Sequence, residues 1–136
     1  PNLLIQGLAP ALSRARAKKV FVANIMTYEG ETKGYDLPDF LRAIDEHTYP
    51  FRVYDRVLVN SGAFYRPGSS ALVAPGGEEN NWVIEGRAVR LVRCEPALYP
   101  HAPFKIIAQD VVNPAYPIRH DSRKLGRALL EILKEG

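Results

Sequence analysis

Cysteine is almost absent from this sequence. Cys94 stands alone among 136 residues, so no disulfide framework can form within the chain, and a reducing, cytoplasmic compartment is the expectation. Long apolar runs are missing as well. None approaches the roughly 18–20 residues that cross a bilayer, and the start carries no signal-peptide pattern. Neither sign of charge dominates: 18 Lys and Arg stand against 15 Asp and Glu, a net charge of +3. The cations are scattered except for "RARAKK" at 14–19. That cluster reads as a solvated face at a helix end, where cations suit the helix dipole, or as a phosphate contact. A mild excess with no interleaving of basic and aromatic residues gives no case for nucleic acid.

Several catalytic vocabularies are also missing. There is no G-x-G-x-x-G and no P-loop, and no G-x-S-x-G elbow. One cysteine and three separated histidines make no zinc site. No internal repeat of 20–50 residues is visible, and no residue stands out as a nucleophile or general base.

What is present is an ordinary globular composition, 46% hydrophobic and 24% charged, in a length that fits one domain with a real core. Leu4, Leu8, Leu12 and Ala15 recur at helical spacing, interrupted by Gly7 and Pro10. Proline suits only a first helical turn, so the spacing predicts a helix over about 9–17, with a separate turn before it. Val20 to Ala23 form an unbroken apolar run, as in a strand covered on both faces. Leu37, Phe40, Leu41 and Ile44 occupy i, i+3, i+4 and i+7 behind an Asp36 cap, predicting an amphipathic helix. "RVLVN" at 56–60 is a second strand. Residues 63–86 are rich in Gly, Pro, Ser and Asn and read as a long irregular excursion with a short strand near 82–84. "AVRLVRCE" alternates like an exposed or edge strand, and "FKIIAQDVV" is a further strand. Leu125, Ala128, Leu129, Ile132 and Leu133 line one face of a closing helix, capped by Asp121 and closed by Gly136. Helices alternating with strands predict a Rossmann-like α/β three-layer sandwich with a mostly parallel sheet.

In such sheets ligands bind outside the carboxyl ends of the strands. Three polar strand exits qualify: 24–35, 60–62 and 113–120. The first, "NIMTYEGETKGY", is the richest. Asn24 donates and accepts, Thr27 and Thr32 offer hydroxyls, and Glu31 can accept from sugar hydroxyls. Gly30 and Gly34 permit positive φ. Two readings stand. Either this is a connection whose threonines and glycines build turns, or it is the wall of a binding site that ends on an anion-friendly helix start. Arg119, just before the last helix, is a candidate phosphate or carboxylate grip, or else a surface arginine.

"PNLLIQG" followed by "KKVFVANIMTYEGETKGYDLPDFLRAI", then "VLVN" and a closing "RHD", resembles the bacterial gluconeogenesis-factor branch of the CofD-like family. That family also holds the 2-phospho-L-lactate transferases. The match is weak over 63–117. The resemblance implies a Rossmann-like domain of about twice this length, with the chain, which opens without methionine, forming its C-terminal half, a single unit over 1–136. It implies a cytoplasmic regulator of carbon metabolism, cell-wall supply and cell shape that binds a nucleotide ligand, a UDP-sugar or NAD. Neither nucleic acid nor membrane is an implied partner; self-association through the 63–86 excursion and the alternating 88–95 strand is a further expectation. Asn2, Asn24, Met26, Thr27, Glu31, Thr32 and Arg119 are the ligand-binding candidates. The loop pattern of the transferase branch is missing, so regulation is preferred to phospholactyl transfer onto a deazaflavin. If transfer occurs, Glu31 and Asp36 are the available carboxylates.

Overall fold

The computed structural model describes residues 2–66, 69–73, 82–95, 97 and 99–135. A short 3-10 turn, Asn2–Leu4, leads to α1 (Leu8–Arg14), β1 (Val20–Val22), β2 (Met26–Tyr28), α2 (Leu37–Thr48) and β3 (Arg56–Asn60). Then follow β4 (Phe64–Tyr65), β5 (Leu72–Val73), β6 (Trp82–Ile84), β7 (Arg87–Leu91), β8 (Lys105–Gln109) and α3 (Ser122–Lys134).

β1, β3 and β8 form a parallel sheet in the order β1-β3-β8. Val57 lies opposite Phe21 and Ile106, and Leu58 opposite Val22 and Ile107. Strand alternation therefore sorts the side chains into two cores. Phe21, Val57, Val59 and Ile106 pack with Ala9, Leu12, Leu37 and Leu41 of α1 and α2. Val20, Val22, Leu58 and Ile107 pack with Ala128 and Ile132 of α3. The result is the three-layer α/β sandwich that the alternation of elements predicts. Val57 and Leu58 are 0% exposed, and full burial of such a side chain contributes about 1.5–3 kcal/mol.

The helices end where their chemistry says they should. At the start of α2 the Asp36 N–H donates to Asp39 Oδ2 (2.9 Å). Its far end has Pro50, which lacks the N–H needed to continue. In α3, Asp121 accepts from the N–H groups of Arg123 and Lys124 (2.9 and 3.0 Å). The carboxyl end of α3 is held by Lys18, whose ammonium donates to the carbonyls of Ile132, Leu133 and Glu135. So one cation of the 14–19 cluster is a helix cap from a distant segment.

Outside the carboxyl edge of the parallel sheet lies a second, antiparallel one, in the order β2-β7-β6. β4 and β5 form a separate two-stranded hairpin. Ile25, Met26, Phe64, Val89, Leu91 and Val112 make the core between these pieces and the strand exits.

Four sequence expectations change. Helix α1 stops at Arg14, not near residue 17, because Ala15 turns extended (ψ 134). The stretch 24–35 is not a plain connection: it holds β2, paired with β7. Strand β7 is not an edge but the centre of its sheet; it alternates because Val89 and Leu91 are buried on one face while Ala88 and Arg90 lie on the other, exposed and half-buried. On α3, Leu133 is 61% exposed, outside the buried stripe of Ala128 and Ile132. Gly136 and much of 63–86 lie outside the described residues. Among the described residues, no helix is long and apolar enough to cross a membrane.

Candidate functional site

The three polar strand exits converge, but not as three open loops. Ala23, leaving β1, accepts from the His120 imidazole (Nε2–O 3.2 Å). Asn60, leaving β3, turns its oxygen onto the N–H groups of Gly62, Val111 and Val112 at 3.0–3.1 Å, and its amide donates to the Gly62 carbonyl. Beside it, a Cβ at Gly62 would overlap the Asp110 carboxylate, which Lys124 grips at 2.8–2.9 Å. The 113–119 loop closes through an antiparallel bridge between Val112 and His120. These exits are spent on one another, and the apolar core of the second sheet fills the space beside them.

The open polar space lies farther out, at the end of β2. A cavity of about 400 Å³ is lined by Tyr28, Glu31, Ile84, Glu85, Arg87, Ile118 and Arg119. Three segments build it. From β2 comes a tight turn: the Thr32 hydroxyl accepts from the Tyr28 N–H, and the Glu31 and Thr32 N–H groups donate to the Tyr28 carbonyl. Gly30 and Gly34, at φ 90 and 79, take up conformations that other residues enter only with strain. From the second sheet comes the β6–β7 turn, with Glu85 (φ 51) and Gly86 (φ 73) both left-handed, as a two-residue primed hairpin turn demands. Glutamate is an unusual occupant there, and such an outlier marks a place to look for function. The third wall is the 113–119 loop, tied to the turn by the Tyr116 hydroxyl donating to Glu85 (2.5 Å). That bond to an acceptor carboxylate raises the Tyr116 phenol above its ordinary value.

The site therefore offers two carboxylates, two guanidiniums and a phenol. Neither Arg87 nor Arg119 enters an ion pair among the described residues. Arg119's backbone is fixed, its N–H donating to Tyr116 and its carbonyl accepting from Asn113. Two arginines suit a phosphate or diphosphate, and two carboxylates suit hydroxyl donors such as a sugar or ribose.

Of the sequence candidates, Glu31 and Arg119 meet in this cavity. The others sit elsewhere. Thr32 builds the turn behind Glu31. Met26 and Thr27 are buried, each 2% exposed, and the Thr27 hydroxyl donates to the Arg90 carbonyl. Asn24 is exposed just beyond β1, and Asn2 is exposed in the 3-10 turn against α1 and α2. Asp36 is engaged by Arg90 (3.0 Å) and the Arg93 N–H. Among the described residues, no three His, Cys, Asp or Glu side chains gather to hold a metal. Sequence reasoning missed Glu85 and Arg87. The signal was an apolar "WVI", a two-residue "EG" turn and the alternating "RAVRL".

Comparison with known proteins gives the relatives. The family model described as 2-phospho-L-lactate transferase CofD matches residues 1–82. A gluconeogenesis factor of Bacillus subtilis is 30% identical over 142 residues, covering 99% of this chain and 39% of its own length. One from Halalkalibacterium halodurans is 28% identical, covering 96% and 37%. The chain thus spans less than two-fifths of these curated relatives. A solved structure from Bacillus halodurans, a member of the UPF0052 family, superposes with a TM-score of 0.72 over 96% of this chain and 38% of its own, at 24% identity.

Proposed function

The chain belongs to the CofD family, and on that premise we propose that it forms part of a cytoplasmic regulator of carbon metabolism and cell-wall supply that binds a nucleotide sugar or dinucleotide. The observation that carries this reading is the meeting of Glu31, Glu85, Arg87 and Arg119 around one cavity. Arginines on the diphosphate and carboxylates on ribose or sugar hydroxyls would divide such a ligand between them. The name "gluconeogenesis factor", borne by relatives that match almost the whole chain, supports the metabolic part. Isothermal calorimetry with a UDP-sugar and with NAD tests it: saturable binding of either is expected, and absence of heat with both overturns it.

A second reading follows from the description of the family model, a phospholactate transferase. In this version Glu31 would face the transferred group, because Asp36, the other candidate carboxylate, is already held by Arg90 and Arg93. Product formation with a divalent metal and a deazaflavin acceptor, lost in Glu31→Gln, would establish it; no product would leave the regulator. Self-association would run through β6, whose outer edge pairs with no described strand. Light scattering showing a monomer at every concentration would remove that part.

A further inference from the structure

The two carboxylates of the Glu31–Arg119 cavity are not equivalent. The Glu31 side chain enters no hydrogen bond or ion pair among the described residues. Glu85 is held: one carboxylate oxygen accepts from the Tyr116 hydroxyl at 2.5 Å. Its other oxygen has no hydrogen-bond partner among the described residues. Tyr116 itself does not line the cavity; Glu85 does. Any effect of the phenol on a ligand there runs through Glu85.

The two ends of this bond are anchored very differently. Tyr116 sits in a loop that is already fixed. Its N–H donates to the Asn113 carbonyl and side-chain oxygen, and its carbonyl accepts from the Arg119 N–H. The bridge between Val112 and His120 closes the base of the loop. Arg119 is therefore placed without help from the phenol. Glu85 has no such support, since it lies exposed at the tip of the β6–β7 turn. A long side chain there sweeps a wide arc until something ties it, and ordering it only on binding would weaken the complex.

The turn shows that the backbone does not favour this residue. Glu85 and Gly86 are both left-handed, at φ 51 and 73. Asparagine before glycine is what such a turn prefers, and glutamate enters that region with strain. The feature that glutamate brings here and asparagine lacks is a carboxylate that reaches both the cavity and Tyr116.

We infer that Tyr116 is a positioning residue that holds Glu85 as the carboxylate receiving ligand hydroxyls, while Arg87 and Arg119 take the anion. The inference rests on the nucleotide reading of this cavity.

The test measures Kd by calorimetry for UDP-glucose, NAD and pyrophosphate. Pyrophosphate offers the arginines an anion and carries no sugar hydroxyl. Tyr116→Phe is expected to weaken the nucleotide that binds by about two- to tenfold, the range for ordering one flexible side chain. It should leave pyrophosphate unchanged. Glu85→Asn suits the turn, so Tm should not fall, yet the nucleotide should bind about tenfold more weakly, the ratio for one charge-assisted hydrogen bond. In the Glu85→Asn background, Tyr116→Phe should have no further effect. A readout without ligand completes the set. In protein carrying labelled tyrosine, the Tyr116 phenol should titrate closer to its ordinary value in Glu85→Asn than in the wild type. Failure of both nucleotides to bind the wild type overturns the nucleotide reading and this inference with it. Nucleotide binding that is unchanged in Tyr116→Phe, additive losses in the double variant, equal weakening of pyrophosphate by Tyr116→Phe, or an unaltered Tyr116 titration overturns this inference alone.

Discussion

Replacing Asn60 with alanine tests how the strand exits are held. The Asn60 oxygen accepts from three backbone N–H groups, and its amide donates to one carbonyl. Two of the three donors belong to Val111 and Val112, which are 0% exposed. Without the side chain these N–H groups have no acceptor, and water reaches them only if the exit of β8 opens. Four hydrogen bonds at about 1 kcal/mol each, less some rehydration at the exposed Ser61 turn, give a loss of about 3 kcal/mol. For a domain of this size that is about 10 °C in Tm. Asn60→Asp keeps the acceptor and gives up only the donor, so it should recover most of the loss at neutral pH. The assay is calorimetric melting of the three proteins, with amide exchange read at residues 111 and 112. A Tm change below about 3 °C for Asn60→Ala, or equal losses for Ala and Asp, would refute the reasoning.

Three further perturbations follow. Gly62→Ala drives a methyl group into the Asp110 carboxylate and should cost about 1–3 kcal/mol; a double-mutant cycle with Asp110→Ala should recover most of it, and additive losses would contradict the contact. Lys18→Met removes the ammonium from the end of α3 and should cost about 1 kcal/mol, with faster amide exchange confined to the last turn. Stability should fall with acid in two windows. Burial, opposed by the Ala23 carbonyl, holds His120 below its ordinary 6.5. The unfolded chain therefore takes up that proton first, and the contribution is present above about 6.5 and lost as pH falls through the folded value. The Lys124 N–H, opposed by burial and joined by the Arg123 N–H, holds Asp121 below the usual carboxylate range, so its contribution is lost below about pH 4. Urea denaturation across pH 3–8 should show His120→Gln flattening the upper window and Asp121→Asn the lower; unchanged slopes would contradict both.

The elements that were legible carry their pattern locally. The α2 stripe of Leu37, Phe40, Leu41 and Ile44, the Asp36 and Asp121 caps, and the apolar runs of β1 and β3 need no distant partner to be read. Strand β2 could not be read this way. Its three residues pair with β7, more than sixty positions later, and nothing in "MTY" specifies that partner. The alternation of β7 was visible, but a central strand with one solvated face alternates just as an edge strand does. The site divides in the same manner. Glu31 and Arg119 stood out because each occupies a polar segment after a strand. Glu85 and Arg87 reach the cavity only because a hairpin folds back across β2, and the 63–86 composition concealed that hairpin. Thr27 and Asn60 looked like ligand-facing polar residues, yet both are consumed by backbone groups, a distinction made by tertiary contacts alone.

The central claim is that the Glu31–Arg119 cavity holds an anionic nucleotide ligand. Its most direct test is the Kd of a UDP-sugar, or of NAD, for the protein and for Arg119→Ala, measured by calorimetry beside the Tm of each. Arg119 is exposed and enters no ion pair among the described residues, so the fold should be indifferent to its side chain. Loss of one charged contact to phosphate predicts a Kd at least about tenfold weaker at unchanged Tm. An unaltered Kd in Arg119→Ala would contradict the account and place the ligand elsewhere.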